Sequence, residues 1–67
     1  MVFYKSLVAK SLEKRQELEL TPTQLANRAG VEEQTIIDFE KGSTTISVES
    51  FLKIMDALNI ALSASSF

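Results

Sequence analysis

The most informative stretch of the chain is LTPTQLANRAGVEEQTIIDFEKG, which covers residues 20 to 42. Thr21 precedes Pro22 and stands three residues before Gln24, which is the pattern of a capping box with proline at the first helical position. Gly30 lies where a left-handed residue is expected to end this helix. The sequence therefore predicts a short helix from about residue 22 to residue 29.

A second short helix is predicted to follow after a turn of about three residues. Val31 and Ile36 have the spacing of a hydrophobic staple around an N-cap at Glu32. Ile36 and Phe39 are expected to face inward and to hold this helix against its neighbours. The predicted helix covers about residues 33 to 41, so the two short helices and their glycine turn form a helix-turn-helix motif.

The segments on either side are also predicted to be helical. Residues 3 to 18 contain no Gly or Pro, and three- and four-residue steps predict one buried stripe formed by Phe3, Tyr4, Leu7, Val8 and Leu12. A last helix is expected between an N-cap at Ser47 and a stop near Asn59, with an apolar face formed by Val48, Phe51, Leu52, Met55 and Leu58. Residues 60 to 64 alternate apolar with small residues, as in a short strand.

These elements predict an all-α fold. We expect a bundle of four to five short helices in a single helix-turn-helix domain over residues 1–67, with a short C-terminal strand. A lone strand has no partner within an all-helical monomer, so residues 60 to 64 are expected to pair with a second copy across a two-fold axis. The predicted dimer contacts are Ile60, Leu62 and Ala64.

Composition limits the function further. The chain has 67 residues and contains neither Cys nor His, so it lacks thiol nucleophiles, imidazole bases and zinc-finger ligands. We therefore predict no catalytic residue, no metal and no cofactor, and the protein is not expected to be an enzyme. No apolar run approaches the length of a membrane span and the N-terminus lacks the pattern of a signal peptide, so a cytoplasmic protein without membrane contact is expected. The net charge is −2, with basic residues concentrated before residue 16 and acidic ones between residues 31 and 41.

The residues that carry the motif resemble a known family. The framework Leu25-Ala26, Gly30-Val31, Ile36 and Glu40-Lys41-Gly42 is similar to that of the Xre/Cro repressor-type helix-turn-helix, a lambda-repressor-like fold. The resemblance extends over residues 20 to 64. The closing Ile60-Ala61-Leu62-Ser63 is similar to the HipB-like antitoxin branch, in which this segment forms a strand that pairs between subunits.

The resemblance implies a set of DNA-contacting residues. Transferred to this chain, they are Arg15, Thr23, Gln24, Glu33, Gln34, Thr35, Asp38 and Lys41. Several of them depart from the family pattern. Glu32 and Glu33 stand where Ser and Gln are common, Asp38 where a basic or amide residue is common, and Pro22 where a Gln usually contacts a phosphate. Arg15 has two interpretations, a phosphate contact or an ion pair with Glu40.

Two functions follow from this pattern. The first is a sequence-specific transcriptional repressor that binds a near-palindromic operator in double-stranded DNA as a homodimer, with a possible second role as the antitoxin that binds a toxin protein. In it, Gln34 is bidentate to adenine and Glu33 or Asp38 accepts from cytosine. The alternative is a degenerate helix-turn-helix that binds a protein partner through its acidic second helix, because Glu33 and Asp38 repel phosphates in every DNA sequence.

Overall fold

The computed structural model describes residues 2 to 60. Over this part of the chain the fold is entirely helical, as predicted, with the elements α1 (Val2–Glu17), α2 (Pro22–Ala29), α3 (Glu33–Glu40) and α4 (Val48–Ala57). α2 packs against α3 and α4, and α1 packs against α3. Of the predicted C-terminal strand only Ile60 is described, where it follows the end of α4. Residues 61 to 64 lie outside the described part.

The predicted start and end of α2 are confirmed. The Gln24 N–H donates to Thr21 Oγ1 at 3.1 Å, and the Thr21 N–H donates to Gln24 Oε1 at 2.8 Å, so both halves of the capping box are made. Gly30 adopts φ 77° and its N–H donates to the Ala26 carbonyl at 2.9 Å. This left-handed residue turns the chain within three residues into α3, and glycine adopts it without steric cost.

α3 begins after Glu32, as predicted, but the Glu32 side chain makes no capping hydrogen bond. Its stabilising role at this position is therefore limited to the favourable interaction of a negative charge with a helix N-terminus. The helix ends at Glu40, one residue earlier than predicted, because Lys41 is its C-cap and Gly42 follows with φ 92°. α4 is capped as expected, since Ser47 Oγ accepts from the Ser50 N–H at 3.1 Å.

One core joins the four helices. Its buried apolar members are Val8, Leu25, Ala26, Ile36, Phe39, Ile54, Met55, Ala57 and Leu58. Ile36 and Phe39 are almost inaccessible, which confirms that these two side chains fix α3 against the rest of the fold.

The predicted apolar face of α4 was partly wrong. Val48 is 73% exposed and Leu52 is 48% exposed. The buried stripe instead includes Ile54, because α4 presents the side that carries Ile54, Met55 and Leu58 to the core. Val48 and Leu52 lie one turn apart and form an exposed apolar pair.

The predicted stripe of α1 also needs correction. Phe3 is 65% exposed, whereas the polar Ser11 is buried. Ser11 Oγ donates to the Leu7 carbonyl at 2.7 Å, which satisfies its hydroxyl within the helix. Its small side chain leaves room for Met55, whose Sδ lies 3.9 Å from Ser11 Oγ. A small residue therefore marks the close approach of α1 to α4, at a position that the predicted apolar stripe of α1 did not include.

Tyr4 links the N-terminal helix to the end of the helix-turn-helix. Its ring contacts Phe39 and Phe51, with ring-centroid distances of 6.2 and 6.3 Å, and Phe39 and Phe51 are themselves 5.9 Å apart. The Tyr4 hydroxyl donates to the carbonyl of Ser43 in the loop between α3 and α4. Burial raises the pKa of Tyr4 above its ordinary value of 10.0, because the phenolate would lose solvation.

Tyr4→Phe is expected to remove a pH dependence of stability. Because the folded pKa is raised, the unfolded chain loses the phenol proton first, so the free energy of unfolding contributed by Tyr4 is complete below pH 10.0 and falls as the pH rises above that value. Chemical unfolding of both proteins at a series of pH values measures the difference. At neutral pH the variant should lose about 1 kcal/mol with the hydrogen bond to Ser43.

The titration itself can be followed directly, since Tyr4 is the only tyrosine and the chain has no tryptophan. The ultraviolet absorbance of tyrosinate should develop at a higher pH in the native protein than in denaturant. Identical titration curves in the two states would contradict the burial of the Tyr4 hydroxyl.

Candidate nucleic-acid interface

α3 has one buried side and one polar side. Its outer face consists of Glu33, Gln34, Ile37 and Asp38, which share the side of the helix turned away from Ile36 and Phe39. Glu33 and Gln34 are exposed, and Ile37 and Asp38 are half-buried. The second helix of a helix-turn-helix thus has its outer face free to contact a ligand, with no side chain of this face needed for the core.

Two residues of the α3 outer face are hydrogen-bonded to each other. Gln34 Nε2 donates to Asp38 Oδ1 at 2.9 Å, one helical turn away. A carboxylate can only accept, so the amide of Gln34 must direct its NH₂ group to Asp38. The bond lies on the surface and occupies one amide proton of the side chain predicted to be bidentate to adenine.

A polar groove of about 280 Å³ adjoins this face. It lies between α3 and the start of α4, and its lining consists of Thr35, Asp38, Ser43, Thr45, Ile46, Ser47 and Ser50. Ser43 Oγ and Thr45 Oγ1 are 2.9 Å apart and share a hydrogen bond. Thr35 and Asp38 were predicted from the sequence as DNA-contacting residues, whereas the four hydroxyl-bearing residues from the loop and α4 were not. The run of Ser and Thr between residues 43 and 50 was the available signal.

Lys41 lies elsewhere. It lines a second groove of about 360 Å³ together with Lys5, Ala9 and Leu12 of α1. The structure therefore brings Lys41 beside the basic N-terminal helix rather than into the polar groove that Thr35 and Asp38 line.

The other predicted positions are at the start of α2. Thr23 is exposed, and so is Gln24, but the amide oxygen of Gln24 accepts from the Thr21 N–H in the capping box. Gln24 thus retains its amide NH₂ group for a phosphate. Both side chains are accessible beside the N-terminal end of α2, where the positive end of the helix dipole favours anions.

Arg15 forms an ion pair with Glu40, which confirms one of its two predicted roles. Arg15 Nε lies 2.7 Å from Glu40 Oε2, and Nη2 lies 3.2 Å from Oε1, so the pair is bidentate. Arg15 Nη1 also donates to the carbonyl of Leu20 at 2.7 Å. The two side chains are only 13% and 14% exposed. A phosphate contact by Arg15 stays a prediction and would have to compete with these three hydrogen bonds.

The predicted dimer contacts are mostly outside the described residues, which include Ile60 but neither Leu62 nor Ala64. Ile60 is half-buried and packs against the core of its own chain, and its N–H donates to the Met55 carbonyl at 2.9 Å. Within residues 2 to 60 the acidic side chains form no group of three that could hold a metal ion. None of the described helices has the length and apolar character needed to span a membrane.

The protein has four packed helices. Its α2 and α3 are joined by a glycine turn, and the outer face of α3 is free, which is the arrangement that defines the helix-turn-helix class of proteins. A family model described as helix-turn-helix matches residues 12–64. The match covers most of the chain, which therefore belongs to this family, of the Xre and lambda-repressor type. Searches of curated proteins and of solved structures give no significant match.

Breaking the Arg15–Glu40 pair on one side is expected to be costly. Arg15→Met should lower the free energy of unfolding by about 2–3 kcal/mol, because it leaves a poorly exposed carboxylate without its charged partner. Replacing both residues, as Arg15→Met with Glu40→Leu, should recover part of that loss because no unpaired charge remains. Urea unfolding of the variants measures the effect.

The matched control is Lys53→Met, which breaks the exposed pair between Lys53 and Glu49 on α4, where the charged atoms are 3.5 Å apart. That variant should change stability by less than about 0.5 kcal/mol. An Arg15→Met protein as stable as the control would contradict the structural role of Arg15.

Proposed function

We propose that this protein is a sequence-specific DNA-binding transcriptional regulator, acting as a repressor. The observation that carries the proposal is the free polar outer face of α3, positioned by two side chains, Ile36 and Phe39, that are completely buried. A rigid helix of this kind fits the major groove of B-DNA and can place side chains against base edges. The family match supports the same function.

The residues have different roles in this proposal. Glu33, Gln34 and Asp38 face the bases. The phosphates on one side of the major groove are contacted by Thr35 and by the hydroxyls of the polar groove beside α4. The phosphates on the other side are contacted by Thr23 and Gln24 at the start of α2. Lys41 and the lysines of α1 add long-range attraction to the DNA backbone. None of these roles requires a metal, a cofactor or catalysis, and the protein would act in the cytoplasm.

The proposal also includes a homodimer, since two copies could place their α3 helices in adjacent major grooves of a near-palindromic site. The exposed apolar pair of Val48 and Leu52 on α4 supports it, because neighbouring large apolar side chains at 73% and 48% exposure gain free energy when a second surface covers them. The strand predicted for residues 60 to 64, with Ile60, Leu62 and Ala64, would extend the same interface.

Fluorescence anisotropy against DNA from upstream of the protein's own reading frame tests the function. We expect selective binding relative to a scrambled duplex, with an affinity that falls steeply with salt as counterions are released. Gln34→Ala should leave stability unchanged and relax the preference at one base position by roughly 1–3 kcal/mol. The control is Gln16→Ala, which changes the same residue type at an exposed position of α1. Equal binding to both duplexes at low salt would contradict the proposal.

Leu52→Glu tests the dimer. A charge on the exposed apolar pair should shift sedimentation velocity from dimer to monomer and weaken binding to a full palindrome, while binding to an isolated half-site is retained. Leu18→Glu is the control, because Leu18 is also a partly exposed leucine, at 38%, but lies just after the end of α1, away from α4 in the sequence. A dimer that survives Leu52→Glu unchanged would place the interface elsewhere.

A second candidate function is a protein-interaction module, with a toxin protein as the partner. It is favoured by the acidic character of the α3 outer face, which carries two carboxylates and no basic side chain. The more specific antitoxin role rests on the similarity of residues 60 to 63 to the HipB-like branch. Failure of selective DNA binding, together with loss of partner binding in Glu33→Lys, would favour this function over the first.

A further inference from the structure

The base-facing groups of α3 are unusual in their hydrogen-bonding character. The helix contains the acidic residues Glu33, Asp38 and Glu40 but no Lys or Arg. Carboxylates only accept hydrogen bonds, so the single source of donors on the α3 outer face is the amide of Gln34. Guanine presents two acceptors, O6 and N7, in the major groove, and is normally contacted by Arg or Lys. This face lacks both residues.

Asp38 removes part of the remaining donor capacity. One N–H of Gln34 already donates to Asp38 Oδ1 at 2.9 Å. A free Gln amide can rotate to offer either its oxygen or its NH₂ group to a base, and can therefore contact all four bases. With the nitrogen of the amide held beside Asp38, Gln34 keeps one orientation, in which Oε1 stays free to accept and one N–H remains to donate.

We infer that Asp38 is a positioning residue, which orients the Gln34 amide so that Gln34 Oε1 accepts from an exocyclic amino group of the DNA. This inference rests on the DNA-binding function proposed above. In the major groove the exocyclic amino groups are adenine N6 and cytosine N4. At the base facing Gln34, the protein thus favours adenine or cytosine over guanine and thymine, to which only the one remaining N–H of Gln34 could donate.

Electrostatics strengthens the selection. Guanine O6 and thymine O4 are acceptor atoms and would be repelled by the amide oxygen of Gln34 and by the negative charge of Asp38. An amino group is attracted by both. Binding in the groove also displaces water, which strengthens the Gln34–Asp38 hydrogen bond relative to its exposed state in the free protein. The acidic residue that weakens general attraction to phosphates therefore contributes to base selectivity.

The experiment measures the dissociation constants of four duplexes that differ only at the base pair facing Gln34, at one fixed salt concentration. That base pair is first located as the position where Gln34→Ala changes the preference. The wild-type protein should bind the adenine or the cytosine duplex about tenfold more tightly than the guanine and thymine duplexes. Comparison of the adenine and cytosine duplexes identifies which amino group is used.

Five variants separate orientation from charge. Asp38→Ala should reduce the tenfold discrimination to near that of Gln34→Ala, and the double variant should show no further loss, because the two side chains act as one unit. Asp38→Glu, which keeps an acceptor one turn from Gln34, should restore most of the discrimination. Glu32→Gln is the control, since it removes a nearby exposed charge that makes no side-chain cap bond, and should tighten binding to all four duplexes equally.

The outcomes are distinct. If Asp38→Ala changes the affinity for all four duplexes by the same factor, or if the wild-type protein prefers guanine or thymine, the role of Asp38 is refuted while DNA binding stands. If the wild-type protein binds none of the duplexes selectively at any salt concentration, the proposed function and this inference are both refuted.

Discussion

The bidentate pair between Arg15 and Glu40 is the interaction that the arrangement of helices depends on. Arg15 stands near the end of α1 and Glu40 ends α3, while the third hydrogen bond of the guanidinium reaches Leu20 in the connection to α2. One side chain thereby joins three segments. Because both charged groups are largely shielded from water, the loss of either leaves a desolvated charge, so the geometry of α1 relative to the helix-turn-helix is strongly favoured over alternatives.

Arg15 and Glu40 thus differ in role from the acidic residues on the surface of α3. Arg15 and Glu40 stabilise the fold from inside, as does the hydrogen bond from the Tyr4 hydroxyl to Ser43, which holds the loop after α3. Glu33 and Asp38 remain on the outer face of α3. A helix held by its buried side can expose an acidic face without losing stability, so the fold is compatible with the unusual set of groups that we propose to face the bases. The low overall basicity of the chain then concerns affinity for DNA and leaves the architecture unaffected.

Local rules predicted the helix ends well. The capping box at Thr21 and Gln24, the left-handed Gly30 and the Ser47 cap each depend on residues within one turn, so sequence is sufficient. The exposure of Val48 and Leu52 was not predicted, because apolar residues lie around most of α4 and only its packing against α2 determines which of them are covered. The burial of Ser11 was not predicted either, because it depends on the contact of α1 with Met55 of α4. At the proposed interface, Gln34 and Asp38 were assigned as DNA-contacting residues from the family resemblance, and that role stays a prediction. Their hydrogen bond, and the polar groove formed with Ser43 and Ser47, depend on side-chain orientation and on contacts between elements.

The proposed DNA contact is tested most directly by a map of backbone amide chemical shifts during titration with the upstream DNA, compared with a scrambled duplex. We expect the largest selective changes at Gln34, Thr35 and Asp38 of α3 and at Ser43 and Ser47 beside the polar groove. Residues of the α1 groove, such as Ala9 and Leu12, should change little. Selective changes confined to α1, or equal changes with both duplexes, would contradict the claim that the outer face of α3 reads the DNA sequence.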